Sequence, residues 1–498
     1  MQHAPTTADW CNTGPVTIHM LPDVALLEIF DFYVNEAEWI RTWHTLVHVC
    51  QRWRDVVFGS SRRLGLRLVC TGGTPVREAL AIWPPLPIVI LREGWHPTFD
   101  MDNIFAALVH TDRVCEIGLC PVPEKVLAKL QEPLPALTDL KLHSKDETAP
   151  AIPDSFLGGS APRLKYLSLN RIPFPGLPIL LSSATGLVKI SLLNIPQSGN
   201  ISPEAFATCL SSLTSLTELI LAFLSPRPRP VRESRHPPTI TRSVLPTLRH
   251  FRFAGVSEYL DDLVALIDTP LLDSLQITFF HQLIFDTPQL AQFISRTPRL
   301  KAQKDAHVVF SYSGVTVLVP GIRDKGVQLK VSCSQMDWQL SSLAQVCRSS
   351  FPQAIISSLE RLAIYDDICY QPCWQDDIEN DQWLEILHPF TAVKDLRLSR
   401  GFAPRIAPAL QELARERVTK VLPALQCLNL EELNPSESFQ KAIMQFVTAR
   451  QLCHVSLAGG KMTFQLPSRT CPLYFLLHLR FGSSGSWDFY RSTFSTSP

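Results

Sequence analysis

"PRLKYLSL", residues 162–169, is one of a dozen short frames that decide how this chain folds. Its apolar residues stand at the third, sixth and eighth places, and a proline stands two residues ahead of the first of them. The frame returns as "PALTDLKL" (135–142), "TGLVKISL" (185–192), "TSLTELIL" (214–221) and "PTLRHFRF" (246–253). It continues as "PLLDSLQI" (270–277), "SSLERLAI" (357–364), "TAVKDLRL" (391–398), "PALQCLNL" (423–430) and "RQLCHVSL" (450–457). A weaker copy, "DRVCEIGL" (112–119), comes first, and "PRLKAQKD" (298–305) keeps only the beginning. The first apolar anchors fall at 114, 137, 164, 187, 216, 248, 272, 300, 359, 393, 425 and 452. Successive gaps are mostly 23 to 34 residues, and one gap of 59 leaves room for an irregular unit. In a chain that is 46% hydrophobic, three apolar matches arise by chance about one time in ten. Proline is the stronger sign: it precedes six of twelve anchors, where 40 prolines in 498 residues predict about one.

The apolar pair ending each frame reads as a short strand with alternate side chains inward. Between frames lie helical spacings: Phe206, Cys209, Leu210, Leu213; Leu263, Leu266, Ile267; Ile443, Phe446, Val447. One strand and one helix in each unit of this length is a leucine-rich-repeat pattern. A single unit cannot bury its apolar face, so neighbours stack into a curved solenoid with strands on the concave side. The asparagine expected shortly after the strand is not regularly present, which predicts an irregular horseshoe with variable convex helices. The strand face would present Thr138, Asp139, Lys141, Lys165, Tyr166, Ser168, Arg361, Ala363, Lys394, Asp395 and Arg397. Their mixed chemistry implies no class of target.

Two stretches interrupt the repeat. "PRPRPVRESRHPP" (226–238) has five prolines and four arginines in thirteen residues and reads as a solvated loop. It lacks the interleaved aromatics of a nucleic-acid surface. "HVVFSYSGVTVLVPGIRDKGVQLKV" (307–331) alternates through Phe310, Tyr312, Val315, Val317 and Val319, which predicts a hairpin filling the long gap.

The totals bound the rest. Lys+Arg and Asp+Glu are both 46, so no global field draws nucleic acid or anionic lipid. The start, "MQHAPTTADWCNTGP", lacks the features of a signal peptide, and no apolar run reaches the length of a membrane span. The 13 cysteines are scattered, mostly inside apolar runs (Cys50, Cys209, Cys347), which suits reduced thiols in the cytosol or nucleus.

"LPDVALLEIF" (21–30) is apolar nearly all round. Pro22 suits a helix start, predicting a first helix from about Asp23 to Val34. Asn35 with Glu38 resembles a capping box for a second helix, whose Trp43, Leu46, Val47, Cys50 and Trp53 or Arg54 share a face. Arg52 and Arg54 suit the dipole at its end, and Gly59 is a stop. So few residues cannot enclose so much apolar surface; either the repeat array or another protein must cover the remainder.

"LPDVALLEIF…LVHVCQRWRDVVF" resembles an F-box, with its Leu-Pro start, apolar helix and "VCQRWR" block. Together with "FGSSRRLGLRLVCTGGTPVREALAIWPPLPIVI", the stretch from about 21 to 90 is similar to F-box proteins abundant in mushroom-forming fungi. The resemblance implies docking on the Skp-type adaptor of a cullin–RING ubiquitin ligase, with the repeats holding a protein substrate. By position, Leu21 and Pro22 match the first contact pair. Leu26, Ile29 and Phe30 fall on the first helix, and Leu46, Val49 and Trp53 on the later apolar positions.

Nothing points to chemistry within the chain. A RING finger needs C-x2-C pairs, and there are none. Cys369 and Cys373 in "CYQPC", with Asp366, Asp367, Asp376 and Asp377 nearby, read as an acidic loop. No cysteine has histidine or basic neighbours on a loop that would lower its pKa. His281 and His388 read as strand-end and helix-end residues, and no phosphate-binding or nucleophile-elbow motif occurs.

The expectation is therefore an α/β chain, a helical F-box followed by an irregular leucine-rich-repeat solenoid. Residues 1–20 form a disordered leader, 21–65 the F-box helices, and 66–110 a connecting segment with the first strand. Residues 111–465 form the solenoid, with insertions near 226–238 and 305–335, and 466–498 a Ser-rich, poorly ordered tail. The expected role is non-catalytic: a substrate receptor that binds adaptor and target, with no cofactor, metal, membrane or nucleic acid. The alternative is an interaction scaffold whose N-terminal helices only cap the array.

Overall fold

A computed structural model describes residues 18–36, 43–71, 75–92, 101–145, 151–226, 242–300, 304–321, 325–367, 378–399, 401–413, 421–431, 437–450 and 454–458. The expected loop 226–238 beyond Pro226, the "CYQPC" pair, the expected leader before 18 and the expected tail 466–498 lie outside them.

Among the described residues, sixteen strands form one sheet with helices, an α/β architecture. β1 (Leu68–Cys70) and β2 (Ile88–Arg92) precede the first frame, so the sheet starts two strands ahead of the repeat. β3 (Val114–Leu119), β4 (Asp139–His143), β5 (Tyr166–Asn170), β6 (Lys189–Ile195) and β7 (Glu218–Phe223) follow in chain order. After the two-residue β8 (Ser243–Val244) come β9 (His250–Gly255), two-residue β10 (Ile267–Asp268) and β11 (Ser274–Phe280). β8 and β10 pair with each other, apart from the main sheet. Then come β12 (Asp305–Ser311), β13 (Gly314–Pro320) and β14 (Gly326–Ser332). β15 (Arg361–Asp366), β16 (Asp395–Leu398), β17 (Cys427–Glu431) and β18 (His454–Ala458) complete the sheet.

In each of the ten full frames the strand begins at the fifth frame residue, as at Asp139, Tyr166 and Lys189. In the first nine of these frames the sixth and eighth residues, such as Leu167 and Leu169, are buried in the core, and so is the anchor at the third, such as Leu164. The anchor also explains the proline. Its N–H donates to the carbonyl three residues back: Leu137 to Leu134, Leu164 to Ala161, Leu248 to Leu245, Leu272 to Thr269, Leu300 to Thr297 and Leu425 to Leu422. Each bond closes a tight turn whose second residue is the frame's proline, where its fixed φ fits and no donor is lost.

Parallel pairing aligns the frames. Asp139, Tyr166, Lys189, Glu218, His250 and Ser274 lie in one row, and Arg361, Asp395, Cys427 and His454 in another. Helices pack side by side (Leu177–Ser183, Pro203–Leu210, Ser257–Ala265 and Pro288–Arg296 in succession), covering the buried side of the strands. The apolar spacings seen in sequence fall in or beside these helices and Glu437–Arg450.

The alternating segment is a three-stranded meander. β12 and β13 pair antiparallel, as do β13 and β14, while β14 pairs parallel with β11 and β12 with β15. The sheet order β11–β14–β13–β12–β15 reverses the chain order here. An odd number of antiparallel strands returns the chain to its original direction, so the parallel array resumes without a break. The fourteen-residue helix Met336–Ser349 makes the crossing back.

Candidate functional site

Two surfaces are candidates: the N-terminal helices and the sheet face without helices. The first begins at Pro22, whose carbonyl accepts from Ala25 at 2.9 Å and Leu26 at 3.1 Å and opens α1 (Asp23–Glu36). Asn35 lies inside the last turn of α1 rather than ahead of a second helix. That second helix is divided into α2 (Trp43–Val47) and α3 (Gln51–Gly59). Cys50 stands in extended backbone between them, so one continuous helix is excluded. Arg54 Nε donates to the Val47 carbonyl at 3.0 Å, satisfying an acceptor that the break leaves open. Arg52 ties α3 to the chain entry by donating to Asp23 and to the Leu21 carbonyl. Both arginines thus bond specific groups, where sequence suggested only a dipole effect.

The eight sequence-selected residues divide by burial. Leu26, Phe30 and Leu46 are in the chain's own core, and Phe30 packs on Trp53 with ring centroids 4.8 Å apart. Leu21 and Trp53 are half-buried, whereas Pro22, Ile29 and Val49 are exposed. Trp43, Leu46 and Val47 of α2 are buried, and Trp43 Nε1 donates to the Arg67 carbonyl beside β1 at 3.2 Å. The Trp43 ring also meets Phe58 and Trp83.

The outward side of α1 is apolar as well. Successive turns place Val24, Glu28, Phe32 and Ala25, Ile29, Tyr33 in two adjacent rows. Val24 is 67% exposed, Phe32 65%, Ile29 45%, Tyr33 41%, and Val49, in the turn between α2 and α3, 56%. The carboxylate in these rows, Glu28, pairs with Arg63 at 2.6 Å. Val24, Phe32 and Tyr33 were not selected from sequence; reading α1 row by row at four-residue spacing would have found them.

The open sheet face carries ordered charge. Just before β12, β15 and β16, Lys304 and Lys394 flank Glu360, at 3.0 and 3.4 Å. One residue on, the signs invert: Arg361 pairs with Asp305 and faces Asp395. Asp273 bridges Arg249, Arg299 and Lys325 at 3.4, 2.9 and 3.3 Å. Of the residues expected on this face, Lys141, Lys165, Tyr166, Arg361, Lys394 and Arg397 are exposed, and Thr138, Asp139, Ser168 and Asp395 half-buried. Ala363 is buried, paired across the strands with His307 and Arg397.

The face also holds a pair that sequence reading missed. Cys120 Sγ lies 3.0 Å from His143 Nδ1 across β3 and β4. Twenty-three residues separate them, and only the parallel register brings them together. Burial, aided by the Arg171 charge, lowers the His143 pKa and keeps the imidazole neutral. His307, also lowered by burial, hydrogen-bonds the Tyr365 hydroxyl at 3.0 Å. Among the described residues, no group of three or more metal-ligating side chains converges, and no helix is long and apolar enough to cross a membrane.

No protein-family model matches this chain, and no curated protein matches it.

Proposed function

We propose that the chain is the substrate-recognition subunit of a Skp–cullin–F-box type ubiquitin ligase. On this reading the N-terminal helices are an F-box and the strand–helix units an irregular leucine-rich-repeat solenoid. The observation that carries the proposal is the outward side of α1, where Val24, Ile29, Phe32 and Tyr33 face solvent beside one carboxylate. A grouped apolar surface of this kind suits a protein interface. The adaptor would cover it together with Pro22 and Val49, while Leu26, Phe30 and Leu46 support it from beneath. The open strand face would hold the target. Catalysis is then proximity, a raised effective concentration of a target lysine near a ubiquitin carrier bound elsewhere.

A second reading has its own support. Trp43 of α2 bonds the chain entering β1, as a cap for the array would. A cap uses that inner side and leaves the outer side of α1 without a task, so the receptor reading accounts for more of the surface. Affinity purification with mass spectrometry under proteasome inhibition tests it: adaptor and cullin should be recovered with the wild type and lost with Leu21→Ala/Pro22→Ala. Recovery of neither with the wild type would leave the cap.

A further inference from the structure

The helix side of the array carries a feature unrelated to either surface. A cleft of about 560 Å³ is lined by Arg242, Gln292, Ser295, Arg296, Pro352 and Gln353. Two of these side chains are guanidinium groups. Arg296, at the end of helix Pro288–Arg296, is fixed in place: Nε donates to Asp268 at 2.6 Å, and Nη2 donates to the Ile267 carbonyl at 2.8 Å and to that of Val264. Its plane lies over the Phe293 ring, 5.2 Å from the centroid. Nη1 is buried and has no hydrogen-bond partner among the described residues.

Arg242, on the exposed rim, donates from Nε to the Ala265 carbonyl at 3.1 Å and stands close enough to destabilise the charge on Arg296. The two guanidinium groups are anchored on the neighbouring carbonyls of Val264 and Ala265, with one carboxylate, Asp268, bonded to Arg296. An anion in the cleft would balance the second cation and relieve the like-charge repulsion. The neutral donors on Gln292, Ser295 and Gln353 suit the remaining oxygens of a tetrahedral anion.

We infer that this cleft is a binding site for a phosphate-type dianion, free or as a monoester, seated between Arg242 and Arg296. The site needs no part of the proposed ligase role and lies on the other side of the array from the strand face.

Calorimetric titration of the full chain tests it, with inorganic phosphate, a nucleoside monophosphate and phosphoserine as separate arms and sodium chloride as control. Arg296→Gln removes three bonds to the fold, so the rim variant Arg242→Gln carries the comparison. Saturable phosphate binding that Arg242→Gln weakens by about tenfold or more supports the site. The arm that binds tightest then identifies the form of phosphate. Binding unchanged in Arg242→Gln, or none beyond the chloride control in any arm, overturns it.

Discussion

Arg52 grips Asp23: Nη2 lies 2.7 Å and Nε 3.0 Å from Oδ1, a fork holding the start of α1 against α3. Nη2 also reaches the Leu21 carbonyl at 2.6 Å, so one side chain fixes the entry of the Leu-Pro pair. Both partners are substantially exposed, so the ion pair itself contributes little. Arg52→Ala should destabilise the chain by about 1 kcal/mol, most of it from the lost carbonyl bond. Urea denaturation measures this, and a variant at least as stable as wild type would show that the fork does not hold α1.

The repeat frame makes a position-specific prediction. Leu219 is fully buried at a sixth position, whereas Tyr166 is exposed at a fifth. Leu219→Ala should cost about 2–5 kcal/mol, and Tyr166→Ala no more than about 0.5 kcal/mol. Equal losses in denaturation would mean that the inward and outward sides are misassigned.

Acidification should destabilise the chain in two stages. Burial lowers His143 and His307 below their ordinary value of 6.5, with Arg171 and Arg397 adding to it. The unfolded chain therefore binds these protons first, and stability falls as pH drops below 6.5. A second loss follows below 3.8: burial raises Asp273, but its bonds from Arg299 and Lys325 outweigh this, and Arg361 lowers Asp305. Stability from both carboxylates is present above 3.8 and lost as pH falls through their folded values. Melting temperatures across pH check the order. The double variant His143→Gln/His307→Gln should lack the first stage; if it retains that stage, the histidines are not its source.

Cys347 is buried inside helix Met336–Ser349, and desolvation pushes its thiol up to about 12. It should resist iodoacetamide in the native protein and react only after unfolding, as peptide mapping by mass spectrometry can show. Native labelling would mean that the helix opens or packs differently.

How much of this was legible beforehand differs by level. Frame spacing located the strands because the apolar triad and the turn it closes are both local, and six prolines mark that turn directly. The meander was visible as alternation, but its reversed order was not, since the partners of β14 and β12 depend on tertiary contacts. The sequence predicts one strand within 66–110, and the structure has two there, β1 and β2. In the N-terminal helices, apolar pattern alone could not separate Leu26 from Val24; burial distinguishes them. Cys120 and His143 meet only through the strand register.

Direct binding of a purified Skp-type adaptor to the full chain, by calorimetry, tests the central claim. Ile29→Lys and Val49→Lys place charges on exposed positions and should leave the fold intact. The account predicts a wild-type complex that each variant weakens by about tenfold or more, with Tyr166→Ala binding normally. No wild-type binding, or full binding by Ile29→Lys/Val49→Lys, would contradict it.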